Sequence, residues 1–576
     1  MSILDWTILI TFFAWIVWDG IRSSRGTTDI EGLLLAKRNI PWWAVGLSVM
    51  ATQASAISFI GTTGQAYKEN MGFIQTYFGL PVAMIIISLT LIPFYHKLKV
   101  FTAYEALETK FGLKIRLATS LLFLISRGLA MGTIIAAPAY VLSLIFCISL
   151  PGTILIIGLS ATVYTTIGGI GGVIRTDIKQ MAVMMIGLFI CLFWIVYKMP
   201  DNIGLVETLH ISGSLGKLDT IDFSFDPSAR YNIWSGLIAG MFLMLSYFGS
   251  DQTQVQRYLT AKSLADAKTS LMLTGLFKIP MMFLMLIIGA LLYVFYVFTP
   301  PPKTFYLSKE NSFEIQDPSE LYVGSFESRR NAAIDYVQNA YSLASRQHLV
   351  EKDKVFEQKI NAMSDPDRDD TNYILPYFIL HEMPIGVIGL IVAAIFAAAL
   401  SSIDSGLNSL AATSVVDWLK RLHKKKRNEK YYLNASRIST VAWGLFATIS
   451  ALLFGETGSI IELVNLIGSY FYGPIFGVFA LIFVKRASGS NAALGLISGL
   501  LIVIISDSLY LHEGNITLQS PYLLQTIGLT PEPGPGFSKL LGYLWLNPIG
   551  AMSVIIVGYL SSFHSVIIPK SSNKRP

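Results

Sequence analysis

The chain has little charge and almost no cysteine. Acidic and basic residues make up only 14% of its 576 residues, and its two cysteines are Cys147 and Cys191. This composition does not indicate a disulfide framework or a string of soluble domains. The hydrophobic content of 53% and the mean hydropathy of +0.55 instead predict a polytopic membrane protein.

Motifs of enzyme chemistry are also missing. The sequence has no Gly-rich phosphate loop followed by Lys-Ser/Thr, no Cys-X-X-Cys pair and no His-Glu-X-X-His motif. Its seven histidines are scattered. We therefore expect neither an enzyme nor a resident cofactor. The formal charge of +6 lies largely in short loops, where it sets membrane orientation and does not indicate nucleic-acid binding.

Apolar segments long enough to cross a bilayer, roughly 18 residues or more, recur along the chain. The first lacks a basic leading region and a small-residue cleavage site, which predicts a retained helix rather than a signal peptide. We predict about 13 spans, near residues 4–21, 42–64, 73–96, 117–147, 151–173, 179–198, 232–250, 270–298, 383–415, 435–454, 458–484, 490–507 and 543–568.

Lysine and arginine follow the odd-numbered spans. Arg22 and Arg38 come after the first span, and the basic run from Lys420 to Arg427 comes after the ninth. The positive-inside rule then predicts a multi-pass protein of the plasma membrane with its N-terminus outside and its C-terminus in the cytoplasm. The charged insertion at about 300–372 would lie outside, either as a solvated cap or as a binding region for an accessory protein or a large substrate.

One predicted span carries a row of polar groups at membrane depth. Ala398, Ser401, Ser402 and Ser405 are spaced i, i+3, i+4 and i+7, which places them on one helix face, and Asp404 lies among them. Groups that are this costly in hydrocarbon usually face a polar site inside a bundle. We call this segment the serine helix. Its hydroxyl oxygens are suitable ligands for a hard cation such as sodium.

The second predicted span, residues 41–64, is dominated by small and hydroxyl side chains. Two interpretations stay open. The span either packs closely against another helix, or it unwinds at its centre and offers backbone carbonyls to an ion, as transporters do at the bilayer midplane.

Charged residues also fall in or near spans, and each needs a partner there. They are Arg127, Asp177, Lys278 and Asp404. Asp177 and Lys278 could instead extend to the cytoplasmic interface, and Arg127 could be a structural, hydrogen-bonded arginine.

Five sequence segments, taken in their order along the chain, carry a resemblance to a known family. They are Pro41–Gly46, Ser58–Gly61, Gly168–Asp177, Asp251–Ser263 and the serine helix. With these segments the chain resembles, over nearly its whole length, the sodium/solute symporter family, which includes sodium–glucose, iodide, monocarboxylate, proline and sialic acid transporters.

The resemblance implies an all-α, LeuT-like fold. Two inverted repeats of five helices, spans 2–6 and 7–11, would form the core, and the first helix of each would be broken. The implied divisions are an extra helix and loop at 1–40, a first repeat at 41–198, a second repeat at 199–484 that contains the insertion, and two final helices with a basic tail at 485–576.

The family's sodium site would take backbone oxygens from Ala51, Ala54 and Ala398 and the hydroxyls of Ser401 and Ser402. Some members hold a second cation, whose ligands would correspond to Asp177, Ser401, Asp404 and Ser405. Asp404 stands where those members often have serine, so it could strengthen a cation site or bind a proton. In sugar transporters of the family, the counterparts of Lys278 and Asp177 pair, which implies a structural ion pair here.

The resemblance is weaker for the solute. Sugar-binding members use Asn and a Glu-Gln pair in the broken helix, where this chain has Gln53 and Ile57–Ser58. Sialic-acid-type members hold a carboxylate with an arginine of span 4, and Arg127 matches it. The other implied solute-binding residues are Gln53, Ser55, Ser58, Phe73, Tyr77 and Tyr247.

We therefore expect a symporter that imports a small organic anion, such as a sialic acid or a monocarboxylate, with sodium by alternating access. A sodium/sugar or sodium/polyol symporter is the alternative. A symporter-like membrane sensor is the alternative from a different class, and its members carry a cytoplasmic signalling domain.

Overall fold

Helices account for nearly all of the ordered secondary structure. The computed structural model describes residues 1–24, 29–146, 148–201, 203–299, 305–307, 313–315, 330–331, 334, 374–423, 427–453, 460–526, 530–531, 533–534 and 536–567. Cys147 and most of the predicted insertion lie outside these residues, so the predictions made for them are not tested.

The α-helices are α1 Ile3–Ser24, α2 Ile30–Leu35, α3 Trp42–Gln53, α4 Ala56–Lys68, α5 Leu80–Leu89, α6 Leu91–Leu98, α7 Ala103–Phe111, α8 Leu113–Phe146, α9 Leu150–Tyr197, α10 Leu205–Ser214, α11 Met241–Gly249, α12 Gln252–Tyr258, α13 Leu264–Phe298, α14 Ile374–Glu382, α15 Val387–Thr413, α16 Lys420–Leu422, α17 Glu429–Leu453, α18 Ile460–Ala480, α19 Gly489–Asp507, α20 Tyr522–Thr526 and α21 Leu546–Ile567. Short 3-10 or π segments cover Ala36–Arg38, Met71–Tyr77, Ser235–Gly240, Ser414–Leu419, Leu481–Phe483 and Tyr543–Trp545.

Five short strands complete the described secondary structure. The antiparallel pair β1 Phe305–Leu307 and β2 Phe313–Ile315 lies between α13 and α14. The strands β3 Leu509–His512, β4 Asn515–Leu518 and β5 Phe537–Lys539 form an antiparallel sheet, with β3 in the middle, between α19 and α21. These strands are too short to span a bilayer.

Within the described residues, ten helices are long and apolar enough to cross a membrane, or eleven if α3 and α4 form one bent span. Predicted spans 5 and 6 both lie in α9, and predicted span 7 corresponds to the shorter apolar segment Ser235–Gly249. With α3 and α4 counted as one span, these two differences account for the step from eleven helices to the 13 spans predicted. The number of crossings itself stays a prediction.

The helix α9 contains a sharp local change of direction. Its 48 residues would extend about 72 Å as a straight helix, far more than a bilayer core requires. At Gly169 the backbone leaves helical geometry, with φ 54° and ψ −174°. A side chain there would be strained, and its Cβ would lie 3.0 Å from the Leu33 carbonyl oxygen. Glycine at this position therefore allows the kink and the close contact with α2.

Two further breaks interrupt helices near the centre of the protein. Between α3 and α4 the axis bends by 57°, and the Ser55 hydroxyl caps α4 by accepting a hydrogen bond from the Ser58 amide at 3.2 Å. Between α11 and α12, Asp251 caps the new helix by accepting from the Thr253 amide at 2.8 Å. Helix ends carry backbone groups without intrahelical partners, so both breaks expose polar backbone inside the bundle.

The serine helix, α15, occupies the core and packs against α1, α3, α8 and α9. All its residues from Ile391 to Thr413 are buried. Its first turn is held by α1, because an Asp5 carboxylate oxygen accepts hydrogen bonds from the amides of Gly386 at 2.7 Å and Gly389 at 3.0 Å. The N-terminal helix α1 is therefore attached directly to the serine helix.

Candidate ion and solute sites

The serine helix meets the break between α3 and α4. The Ser402 hydroxyl donates to the Thr52 carbonyl oxygen at 3.0 Å and lies 3.4 Å from the carbonyl oxygen of Ala398. Ala51 and Ala54 flank this contact and are buried. The structure thus places the two predicted ion-binding segments against each other. The ligand set of five residues remains a prediction.

Asp177 lies beside this contact and is fully buried. One of its carboxylate oxygens accepts from the Ser401 hydroxyl at 2.5 Å, and the other accepts from the Ser48 hydroxyl at 2.5 Å. The second oxygen also lies 3.3 Å from a guanidinium nitrogen of Arg257. Asp177 therefore links α9 to α3 and to α15.

Arg257, on α12, is the cation of this region. Its guanidinium donates to Ser48 at 2.9 Å, to the Thr253 carbonyl oxygen at 2.7 Å, and to the hydroxyl of Ser405. The side chain is fully buried. Sequence reasoning missed this role, although Arg257 lies within the quoted segment Asp251–Ser263 and is the one arginine in it.

Asp404 brings a second carboxylate to the same region. It is fully buried, and one of its oxygens accepts from the Ser405 hydroxyl at 3.1 Å. Its other oxygen has no hydrogen-bond partner among the residues that the structure describes. We call Asp177, Asp404 and Arg257 the acidic cluster. With both carboxylates ionised, its formal charge is −1.

A cavity of about 120 Å³ lies next to the acidic cluster. Ser402 lines this cavity as well as the contact with α3, so the two regions share a side chain. The lining residues are Thr52, Gln53, Ser55, Ile57, Ser58, Tyr77, Arg127, Ile134, Leu243, Met244, Tyr247, Thr253, Lys278, Ser402, Val464, Asn465 and Tyr472.

Six of the seven residues predicted to bind the solute line the cavity: Gln53, Ser55, Ser58, Tyr77, Arg127 and Tyr247. Phe73 does not. Its ring packs edge-on against Tyr77, with the ring centroids 6.0 Å apart, and it also contacts Tyr231. Phe73 therefore supports the wall from behind. Asn465 and Tyr472 on α18 were not predicted, because hydropathy gave no sign that α18 faces the cavity.

Arg127 extends from α8 into the cavity wall, where Asp251 neutralises it. The two side chains form a buried ion pair, and the guanidinium also donates to the Tyr472 hydroxyl at 3.3 Å. The Tyr247 ring lies 5.6 Å away, within range of a cation–π interaction. The arginine predicted to hold a solute carboxylate already has a carboxylate partner within the protein.

The predicted ion pair between Lys278 and Asp177 is wrong. Asp177 pairs with Arg257, and the Lys278 ammonium reaches the backbone oxygen of Gln53 at 3.3 Å. Its nearest aromatic neighbour is the Tyr77 ring, at 5.6 Å. The Lys278 side chain reaches the Gln53 carbonyl oxygen at the break after α3, which also accepts from the Ser58 hydroxyl at 3.0 Å. Arg257 reaches Asp177 from α12, the helix that follows the other break.

The model of the sodium:solute symporter family matches residues 33–301 and 354–499, which is most of the chain. The chain belongs to the sodium:solute symporter family. Proteins of this family are sodium-coupled transporters, and the resemblance seen in the five sequence segments is confirmed. The chain is accordingly a sodium-coupled solute symporter with a LeuT-like fold.

Individual symporters are similar along nearly their whole length. The chain is 27% identical to the sodium/sialic acid symporter SiaT of Proteus mirabilis over 573 residues, covering 97% of this chain and 95% of that one. It is 26% identical to the human sodium-coupled monocarboxylate transporter 1, covering 94% and 83%. A solved sodium-coupled sialic acid symporter in a substrate-bound, outward-open state superposes with a TM-score of 0.74 at 25% identity, covering 98% of both chains.

Proposed function

We propose that this symporter imports a small organic anion with sodium by alternating access. One observation carries the proposal: two buried basic side chains line the cavity and only one of them pairs with a carboxylate in the described part of the chain, whereas the adjoining acidic cluster has two carboxyl groups and one arginine. Buried charge without a counterion is costly, so the cavity favours an anion and the cluster favours a cation.

Sodium would enter at the contact between α15 and the break after α3. Its proposed ligands are the backbone oxygens of Ala51, Ala54 and Ala398 with the hydroxyls of Ser401 and Ser402. A possible second cation would be held by Asp177, Asp404 and Ser405. Bound sodium would replace the hydrogen bond between Ser402 and Thr52 and join the two segments, which stabilises an outward-open state.

The solute would bind in the cavity beside Ser402. Coupling between its binding and that of sodium is reciprocal, and in proteins such coupling is typically 1–3 kcal/mol. Similarity to a sialic acid symporter and to a monocarboxylate transporter supports an acidic solute. A sugar or polyol is the second candidate, because the buried side-chain oxygen of Gln53 has no partner in the described part of the chain and would accept from a hydroxyl.

The proposed topology has the N-terminus outside, the C-terminus in the cytoplasm of a plasma-membrane protein, and two inverted repeats at 41–198 and 199–484. The 1–40 and 485–576 segments would flank them. The breaks after Gln53 and after Gly249 support this arrangement, because each lies in the first span of its proposed repeat. A 300–372 cap on the outer side belongs to the same proposal.

Uptake into proteoliposomes tests the function. We expect an inward sodium gradient to drive accumulation of N-acetylneuraminate, lactate or pyruvate, and an equal choline gradient to drive none. Uptake of glucose or inositol alone would replace the anion by a sugar or polyol. Sodium-dependent binding without uptake of any of these compounds would favour a membrane sensor.

A further inference from the structure

A large apolar groove opens to the outside of the helix bundle between α3, α9 and α13. Its volume is about 690 Å³, and every residue that lines it is apolar. Met50, Met181 and Met281 form its buried base, and Phe189 and Phe277 stand at its opening with 46% and 50% of their surface exposed. Because α9 and α13 are both long and apolar enough to cross a membrane, the opening faces hydrocarbon in a bilayer. We call this feature the apolar groove.

The apolar groove continues toward the start of α3. Ala44 lies one turn before Leu47 of the groove and clusters with Ile174. Ile40 and Ile178 pack against the same cluster, and Ile178 also lines the groove itself. One end of the groove therefore reaches the loop that precedes α3, and the proposed topology places this end at the cytoplasmic interface.

Three exposed basic side chains lie around this end of the groove: Lys37, Arg175 and Lys262. Arg175 is three residues before Ile178 on α9, so these two residues share a helix face. Lys37 is three residues before Ile40, and the Lys262 amide donates to the Ile40 carbonyl oxygen at 3.2 Å. We call these three residues the basic patch. It adjoins the groove through the two isoleucines.

The basic patch has no carboxylate of its own to balance it. None of its three side chains forms an ion pair with any residue that the structure describes. Two acidic residues near it in sequence already have other partners: Glu31 pairs with Arg38 at 3.3 Å, and Asp266 accepts from the Ser263 hydroxyl at 2.6 Å. An anion at this interface would therefore meet unpaired cations directly beside an apolar groove.

We infer that the apolar groove binds an acyl chain of an anionic phospholipid and that the basic patch binds its phosphate headgroup. A lining without polar groups offers no hydrogen bond to a water-soluble solute, whereas flexible methionine side chains pack well against an irregular hydrocarbon chain. Lysine and arginine at the membrane surface attract anionic lipids. The inference goes beyond the proposed function and takes from it only the topology.

Lipid binding to the purified, delipidated protein tests the inference. Kd values are measured by native mass spectrometry for dioleoyl phosphatidylglycerol and dioleoyl phosphatidylcholine, which share their acyl chains and differ in headgroup charge. We expect wild-type protein to bind the anionic lipid about tenfold more tightly than the zwitterionic one. The triple variant Lys37→Gln/Arg175→Gln/Lys262→Gln should lose this preference.

Matched variants separate the two parts of the site. Lys97→Gln/Lys114→Gln/Lys430→Gln removes the same charge from exposed lysines elsewhere and should keep the preference. Ala182→Phe fills the groove at an exposed lining residue and should weaken phosphatidylglycerol binding about tenfold. Ala442→Phe, at an exposed alanine on α17, should leave binding unchanged.

Three results would each overturn the inference. Wild-type protein that binds both lipids with equal affinity has no site for an anionic headgroup. A triple variant that keeps the wild-type preference binds the headgroup elsewhere. Displacement of the lipid by an equal concentration of glycerol 3-phosphate would show a site for soluble phosphate that does not need the groove. These measurements involve no transport, so they decide the inference even if sodium-driven uptake contradicts the proposed function.

Discussion

Two buried polar regions lie side by side in this symporter and carry an excess of opposite charge. The acidic cluster places Asp177 and Asp404 around Arg257. The cavity is lined by Arg127, which pairs with Asp251, and by Lys278. Each region contains one ion pair and one charge left over. On this basis we propose that the acidic cluster favours a cation and the cavity favours an anion.

The two regions differ in which type of ionisable side chain is in excess, carboxyl groups in the acidic cluster and basic groups in the cavity. We propose that this difference determines which ligand each region binds. Buried ion pairs by themselves contribute little net stability, but an unpaired buried charge is strongly unfavourable. Each region contains one ionisable side chain without an ion-pair partner among the described residues, Asp404 in one and Lys278 in the other, and Ser402 touches both regions. We propose that these two groups without ion-pair partners, rather than the two ion pairs, select sodium and the solute.

Replacing the central cation should have the largest effect. Arg257→Met leaves two carboxylates together without a partner, and breaking a buried pair typically costs about 3–5 kcal/mol. We expect a large fall in the thermal unfolding temperature of the purified protein in detergent. Sodium should restore more stability to this variant than to wild type. Arg486→Met, at an exposed arginine, is the control and should change stability by no more than about 0.5 kcal/mol.

If the Arg257→Met variant unfolds at the wild-type temperature, the ion pair between Arg257 and Asp177 is not central to the stability of the protein. The double variant Arg257→Met/Asp177→Asn offers a further check. Removing both charges of the pair should recover part of the lost stability, because the uncompensated carboxylate is then reduced to one.

Ser402→Ala should weaken sodium binding strongly. It removes the hydroxyl that contacts both the Thr52 and the Ala398 carbonyl oxygens, and we expect the sodium concentration for half-maximal uptake to rise about tenfold, or about 1.4 kcal/mol. Thr413→Val, on the same helix, removes a buried hydroxyl with no partner among the described residues and should leave the sodium response unchanged. A wild-type sodium response in Ser402→Ala would exclude the proposed ion site.

Asp251→Asn tests whether charge at the cavity determines solute binding. Asparagine can keep the cap on α12, yet it leaves Arg127 as a second uncompensated cation. The protein should lose stability without solute and gain more stability than wild type from N-acetylneuraminate, by a few degrees in unfolding temperature. Equal stabilisation of both proteins by this anion would argue against charge as the basis of solute binding.

The smallest effect is expected in a third charged group, near the ends of α7, α8 and α15. Arg116 binds Asp417 and Glu108, each at 2.7 Å, and Arg421 also binds Glu108. Burial raises the pKa of Glu108, but hydrogen bonds from Arg421 and Arg116 outweigh it, so the pKa lies below its ordinary value.

We expect Glu108→Gln to reduce stability by less than about 1 kcal/mol at neutral pH without changing the affinity for either ligand. Because the folded-state pKa is lowered, the carboxylate stabilises the protein above its ordinary pKa. The difference between wild type and variant should shrink as the pH falls through the lowered value. A change in sodium affinity would show that this group is coupled to the acidic cluster.

Sequence patterns identified the main elements of both regions. The i, i+3, i+4, i+7 spacing of Ala398, Ser401, Ser402 and Ser405 marked the polar helix, because burying such groups requires partners. The run of small residues in 41–64 admitted a broken helix, and the structure resolves that choice with a 57° bend. The solute residues came from the family resemblance instead, and six of the seven line the cavity.

The partners of the charged residues could not be predicted in the same way. Arg257 and Lys278 are separated by only 21 positions in sequence, and sequence alone does not decide which of them reaches Asp177. Which one does depends on the direction of α12 after Asp251, a tertiary property. The ion pair of Arg127 with Asp251 likewise joins residues 124 positions apart, which no local pattern reports.

Affinities measured in two matched variants test the central claim most directly. Asp404→Ser removes the unpaired carboxylate of the acidic cluster, and Lys278→Met removes the unpaired cation of the cavity. Sodium affinity is measured without solute, and N-acetylneuraminate affinity at saturating sodium. We predict that each variant weakens only its own ligand, by about tenfold or 1.4 kcal/mol. Equal losses for both ligands in either variant, or an unchanged anion affinity in Lys278→Met, would contradict the account.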